Sequence, residues 1–151
     1  MAEATVGSML DSAKEFETVL VDFLRDLRDR VKNDNTRLLT YYVARHKRHI
    51  EAIARMFPPE KLEEIRRIPL KAINSRFISE RCFQGTYLAS DASARELLDT
   101  AIELIDVLLC FYEWLAGQPA QKGADELIDS LINVEEKGLR DLKNLVEKHV
   151  F

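Results

Sequence analysis

The sequence predicts an all-α protein made of four long helices, with a long connection between the second and the third. Apolar residues recur at spacings of three and four along four separate segments, which is the pattern of an amphipathic helix. Only five Gly and four Pro occur among 151 residues, so little interrupts these segments. No Val-, Ile- or Thr-rich run alternates with polar residues as a strand would.

The first hairpin is predicted from two helices joined by a short turn. The first helix covers about residues 4–32, and the sequence NDNT then breaks its pattern and offers Asp34 or Asn35 as the next N-cap. The second helix covers about residues 36–57 and stops at two prolines. The predicted inner face of the first helix contains Met9, Ala13, Phe16, Leu20, Phe23, Leu27 and Val31.

The second hairpin is predicted in the same way. Its first helix starts near Ser90 or Asp91 and stops at Gly117, and its second covers about residues 124–148. The connection, residues 58–89, contains two stretches of helical composition separated by Pro69. It is long enough to run the length of a bundle, so residues 1–151 are expected to form one four-helix domain with a long, partly helical crossover.

Composition excludes several classes of function. Hydrophobic residues at 46% and charged residues at 32% are typical of a folded domain, and a net charge of −4 gives no basic footprint for nucleic acid. The most apolar run contains Asp106 and Glu113 and is too short to span a membrane, and no signal peptide is expected. Cys82 and Cys110 lack metal-type spacing, so we expect reduced thiols, a cytoplasmic location and Cys110 as a small core residue.

Polar side chains fall on the predicted inner faces of three helices. His46 lies in the middle of the apolar face of the second helix and His49 at its edge. Glu135 lies mid-face on the fourth helix and Glu17 on the inner shoulder of the first, whereas the third helix has Ile105 at its centre. A buried carboxylate is costly unless it is paired, hydrogen-bonded or bound to metal.

Two interpretations of these residues stay open. In one, Glu135 accepts a hydrogen bond from a protonated His46, or from Tyr41, Tyr42 or Tyr112, in a structural polar layer. In the other, Glu17, His46, His49 and Glu135 ligate a transition metal, since imidazole and carboxylate together suit such ions.

The segments KEFETVLVDFLRDL and AIELIDVLLCFYEWLA, with HKRH and EEKG, resemble the ferritin-like superfamily, and its rubrerythrin-type branch in particular. In that branch the first and third helices each supply a Glu, and the second and fourth each supply Glu-x-x-His, to hold a di-iron centre. The resemblance implies that Glu17, His49 and Glu135 are retained ligands and that His46 replaces a Glu. It also places Ile105 and Gly138, which cannot coordinate, where ligands are expected.

The resemblance implies a ferritin-like bundle whose di-iron site has been lost. We therefore expect a non-catalytic binding or structural module without a cofactor. We expect it to form a homodimer in which Trp114 and Phe111 lie at the interface. The alternative is a redox or iron-handling protein that holds a single iron or other transition metal, which would make it a metal-dependent oxidoreductase or peroxidase. It lacks the paired cysteines of a rubredoxin-like electron-transfer domain.

Overall fold

The computed structural model describes residues 5–45, 49–70, 90–118 and 123–147. Within these ranges all the regular structure is helical, apart from one isolated bridge between Thr5 and Pro69. The all-α prediction is therefore confirmed. The helices are α1 (Val6–Arg30), α2 (Asp34–Arg45), α3 (His49–Ala54), α4 (Pro59–Arg66), α5 (Ala94–Ala116) and α6 (Asp125–Glu147).

Side chains that satisfy exposed backbone groups set the helix ends. Thr5 caps α1, because its hydroxyl accepts from the Ser8 N–H at 3.1 Å while the Ser8 hydroxyl accepts from the Thr5 N–H at 2.9 Å. Ser93 caps α5 by accepting from the Glu96 N–H at 3.1 Å. Gly117 ends α5, as predicted.

Two helices begin at residues other than those predicted. The Asn33 side chain, rather than Asp34 or Asn35, accepts from the N–H groups of Asn35 and Thr36 at 2.8 and 3.2 Å, so α2 begins at Asp34. The third predicted helix starts after Ser93 instead of Ser90 or Asp91, because the backbone at Ser93 is still extended.

The second predicted helix corresponds to α2 and α3 together. Residues 46–48 between them lie outside the described residues, and α3 ends at Ala54, before the predicted stop. The first helical stretch predicted in the connection is confirmed as α4, which has Pro59 in its first turn. The second predicted stretch, from residue 71 onward, lies outside the described residues.

The helices pack as two hairpins that meet each other. Helix α1 packs against α2, α5 packs against α6, and the hairpins meet where α2 contacts α5 and α3 contacts α6. Near the C-terminal end of α1, the Lys32 N–H donates to the Ser90 carbonyl and the buried Thr36 hydroxyl donates to the Ala92 carbonyl, both at 2.9 Å. These bonds fix the start of α5 beside the end of α1.

Helix α4 is attached to the opposite end of α1. The Val6 N–H donates to the Ile68 carbonyl at 2.9 Å, and the Arg66 guanidinium pairs with Asp11 at 2.9 Å. Gly7 allows this close approach, because a Cβ there would lie 2.9 Å from the Arg66 Cβ and from its carbonyl oxygen. Residues 70 and 90 therefore lie at opposite ends of α1.

The core runs between the two hairpins and is built from the predicted apolar faces. The residues expected to face inward from α1 are all buried or partly buried, and Phe16 and Tyr112 are among the largest fully buried side chains. Within the described residues, no helix combines the length and apolar character that crossing a lipid bilayer requires.

Three expectations about individual side chains were wrong. Phe111 is buried and stacks on the Trp114 ring at 6.0 Å between centroids, so it belongs to the core and cannot cover a partner. Cys110 is exposed rather than part of the core. The slight burial of its thiol, and after that the negative charges of Asp106 and Glu113, raise the pKa of the thiol. Tyr41 is exposed beneath the Arg28 guanidinium and therefore is not a buried partner for Glu135.

Candidate metal centre

Two carboxylates predicted to face inward are buried in the structure. Glu17, on the face of α1 that carries Ala13 and Leu20, is 4% exposed, and Glu135 on α6 is 1% exposed. Both positions follow from helical spacing, which places each Glu within a stripe of apolar residues. Their inward orientation is therefore confirmed.

His49, the first residue of α3, contacts both carboxylates. Its ring Nδ1 lies 2.9 Å from Glu135 Oε1, and its backbone N–H donates to Glu17 Oε2 at 3.4 Å. One possible ligand atom from each of Glu17, His49 and Glu135 lies within 4.8 Å of the other two. We call these three residues the donor triad.

The remaining predicted positions differ in what the structure says of them. His46, the fourth predicted donor, lies outside the described residues, and so does the predicted contact between His46 and Glu135. Ile105 is buried at 2% exposure and carries no donor atom. Gly138 is also buried, and the position that its Cβ would take has no atom within 4 Å.

Tyr112 adds a buried hydroxyl group near the site. From the sequence it was only one of three tyrosines that could donate to Glu135. Its side chain is fully buried, and its hydroxyl finds no hydrogen-bond partner in the parts of the chain that the structure describes. Burial, together with the negative charges of Glu17 and Glu135, raises the pKa of Tyr112 well above its ordinary value. The phenol therefore lies within electrostatic reach of both carboxylates. A buried polar atom without a protein partner commonly marks the place of a water, an ion or a ligand.

The three donors of the triad are close enough together for one cation to be held between them. Ions such as Zn²⁺ bind imidazole and carboxylate donors at about 2.0–2.2 Å. One donor atom from each of Glu17, His49 and Glu135 lies within 4.8 Å of the other two, and His49 Nδ1 lies at hydrogen-bond distance, 2.9 Å, from Glu135 Oε1. Small side-chain movements would therefore bring the three donors to one ion. Ile105 and Gly138 add no donor atom to this set.

A groove on the surface of α1 reaches Glu17. It has a volume of about 260 Å³ and is lined by Lys14, Glu17, Thr18, Val21, Asp22, Arg25 and Glu51. Lys14 Nζ pairs with Glu51 Oε1 at 2.8 Å across this groove, and Arg25 pairs with Asp22 at 3.5 Å along α1. We call it the α1 groove.

No family model matches this chain, and neither the curated proteins nor the solved structures contain a protein similar enough to count as a match. A function for this chain therefore has to be argued from its site, because a helical architecture alone does not specify one.

Proposed function

We propose that this protein is a ferritin-like bundle that binds one transition-metal ion through Glu17, His49 and Glu135. The observation that carries the proposal is the convergence of three donors from three helices at a buried position. Carboxylate and imidazole donors brought together in this way form a ligand set that divalent transition metals accept.

The ferritin-like part of the proposal is supported by how the chain enters and leaves each hairpin. Helix α4 is attached near the start of α1, at Val6 and Asp11, whereas the start of α5 is attached near its end, at Lys32 and Thr36. A connection between those two ends gives the order up, down, down, up. Such an order, with one long crossover, is typical of ferritin-like bundles.

The residues around the site suggest what a bound ion would be used for. Such an ion would supply Lewis acidity and, if it were iron, one-electron redox chemistry. The two carboxylates and the imidazole would hold it, and the apolar core would exclude bulk water. A tyrosine is protonated at neutral pH, and the raised pKa of Tyr112 keeps it protonated at higher pH as well, so its phenol can donate a hydrogen bond to a small oxygen-containing ligand. We therefore propose a redox or iron-handling role for such an ion.

A second candidate is the metal-free structural module expected from the sequence. The contact between His49 and Glu135 favours it, because a protonated imidazole would satisfy that carboxylate without any ion. The two candidates differ in one measurable property, which is whether the folded protein holds metal at equilibrium.

The experiment is a titration of chelator-treated protein with Co²⁺, followed by absorption and by the metal content after gel filtration. We expect one ion per chain, and we expect Glu135→Ala to weaken binding by at least about 100-fold, because outer-sphere residues alone contribute 10–100-fold. Its matched control is Glu136→Ala, which removes an exposed carboxylate from the neighbouring position. Two ions per chain would favour a di-iron-type centre, and absence of binding would favour the metal-free module.

A further inference from the structure

We propose that a divalent cation reaches the donor triad through the α1 groove, and that the ion pair between Lys14 and Glu51 controls its access. This inference rests on the metal site proposed above. It adds a route, a third carboxylate that binds the cation on the way, and a positive charge that opposes its passage.

Glu17 belongs to both the groove and the triad. The residue as a whole is 4% exposed and lines the groove, while its carboxylate belongs to the donor set and accepts from the His49 N–H. Glu135 and Tyr112 are fully buried, and neither lines the groove. Among the described residues, Glu17 is therefore the donor that a cation arriving from solvent through this groove meets first.

The ion pair between Lys14 and Glu51 lies across the groove rather than along it. Lys14 belongs to α1 and Glu51 to α3, two residues beyond His49, so the contact joins the two helices that supply Glu17 and His49. The ion pair of Arg25 with Asp22 lies within α1 and joins α1 to no other helix. An ion pair can close the groove only if it joins the two sides of the groove, as the pair of Lys14 and Glu51 does.

The pair is weak enough to open. The side chains of Lys14 and Glu51 are 53% and 40% exposed, and ion pairs in such surroundings contribute little because water and salt screen them. When the pair opens, the Glu51 carboxylate can take up a partly hydrated cation and pass it to Glu17. Lys14 opposes this step in two ways, by occupying Glu51 and by repelling the cation.

The test is stopped-flow mixing of the chelator-treated full chain with Co²⁺, monitored by the absorption of the bound ion. Lys14→Met should raise the association rate constant about fivefold, since a unit charge about 4 Å from the path changes the energy of a passing charge by roughly 1 kcal/mol in water, and more for a divalent ion at smaller effective dielectric. Dissociation should accelerate as well, so that the equilibrium affinity changes less than either rate.

Glu51→Gln provides the decisive contrast. It breaks the same ion pair but removes the carboxylate and leaves the Lys14 charge uncompensated, so uptake should become slower rather than faster. The matched controls are Arg95→Met and Asp99→Asn, which change the same charges in an equally exposed pair on α5. Both should leave the rates within about twofold of the parent, because neither residue lines the groove or belongs to the donor set.

Each other outcome contradicts a different statement. If one Co²⁺ binds at equilibrium but Lys14→Met behaves like Arg95→Met, the route is wrong and the metal site stands. If Lys14→Met and Glu51→Gln both accelerate uptake, the pair merely holds α1 against α3, and the transfer role of Glu51 is wrong. If the parent protein binds no Co²⁺, the metal site and the route both fail.

Discussion

The buried phenol of Tyr112 is the residue whose removal gives the clearest stability test. An unsatisfied buried hydroxyl costs about 1–3 kcal/mol, and Phe keeps the ring shape without it. Tyr112→Phe should therefore raise the free energy of unfolding of the metal-free protein by about 1 kcal/mol, measured by urea denaturation in chelator. Tyr42→Phe, at a partly buried tyrosine, is the control and should not be stabilising. A clear loss of stability in Tyr112→Phe would show that the phenol has a partner.

The parent protein and the Tyr112→Phe variant should also differ in how their stability changes at alkaline pH. The folded state keeps Tyr112 protonated because its pKa is raised, whereas an unfolded tyrosine loses its proton near its ordinary value of 10.0. The unfolded state therefore binds fewer protons above that pH, and Tyr112 removes stability as pH rises, by up to about 1.4 kcal/mol per pH unit. The contribution of Tyr112 to stability is fully present below pH 10 and is lost progressively above it. The Tyr112→Phe variant should not show this loss.

The contact between His49 and Glu135 can be measured as a coupling energy. Removal of one partner should cost about 3–5 kcal/mol if the pair is charged, or about 1–3 kcal/mol if it is neutral. His49→Leu combined with Glu135→Leu should recover much of that loss. The measurement is a double-mutant cycle of denaturant unfolding in chelator, beside a cycle on the exposed pair of Arg95 and Asp99, whose coupling should stay below about 1 kcal/mol. Additive single-mutant effects would contradict the contact.

Sequence periodicity was sufficient for the orientation of single residues but not for their partners. Glu17 and Glu135 could be placed inside from spacing alone, because the residues around them define a stripe. His46 and His49 both fell on one face, and the choice of His46 as partner of Glu135 rested on its central position. The structure records His49 in contact with Glu135, and the predicted contact of His46 lies outside the described residues.

At the scale of helices, the docking of α4 on α1 depends on a missing side chain. Gly7→Ala would place a Cβ 2.9 Å from Arg66 atoms, one of them backbone, so α4 would have to shift. Gly138→Ala, where no atom lies within 4 Å, is the matched control at a second buried helical glycine. Both gain about 1 kcal/mol of helix propensity, so Gly7→Ala should be the less stable by about 1–3 kcal/mol in thermal or urea unfolding. Equal stabilities would show that α4 yields freely.

The ends of the helices show where local sequence is ambiguous. Asn33, Asp34 and Asn35 are all good N-cap residues, so their identities could not select one. The selection came from geometry, because the Asn33 side chain accepts from two first-turn N–H groups. Gly117 was predictable because only one helix stop lay near the end of the apolar pattern.

At the scale of the whole molecule, helical periodicity and connection lengths were enough for the all-α class. They could not show that α3 packs on α6 or that Lys14 reaches Glu51, because a periodic pattern defines a buried face without naming the helix it meets. The homodimer stays a prediction. Trp114 and Phe111 are the two residues expected at its interface. Trp114, which stacks on Phe111, is only partly buried and so remains available for that contact.

The two hairpins divide the donor triad unequally. The hairpin of α1 with α2 and α3 contains Glu17 and His49, and the hairpin of α5 with α6 contains Glu135. Each hairpin is joined by contacts between neighbouring segments of the chain, which close early and at small entropic cost, whereas docking of one hairpin on the other closes a much longer loop. Neither hairpin alone possesses all three donors. The complete site therefore exists only after the two halves of the chain have met, and any ion held there belongs to the assembled bundle and not to its parts.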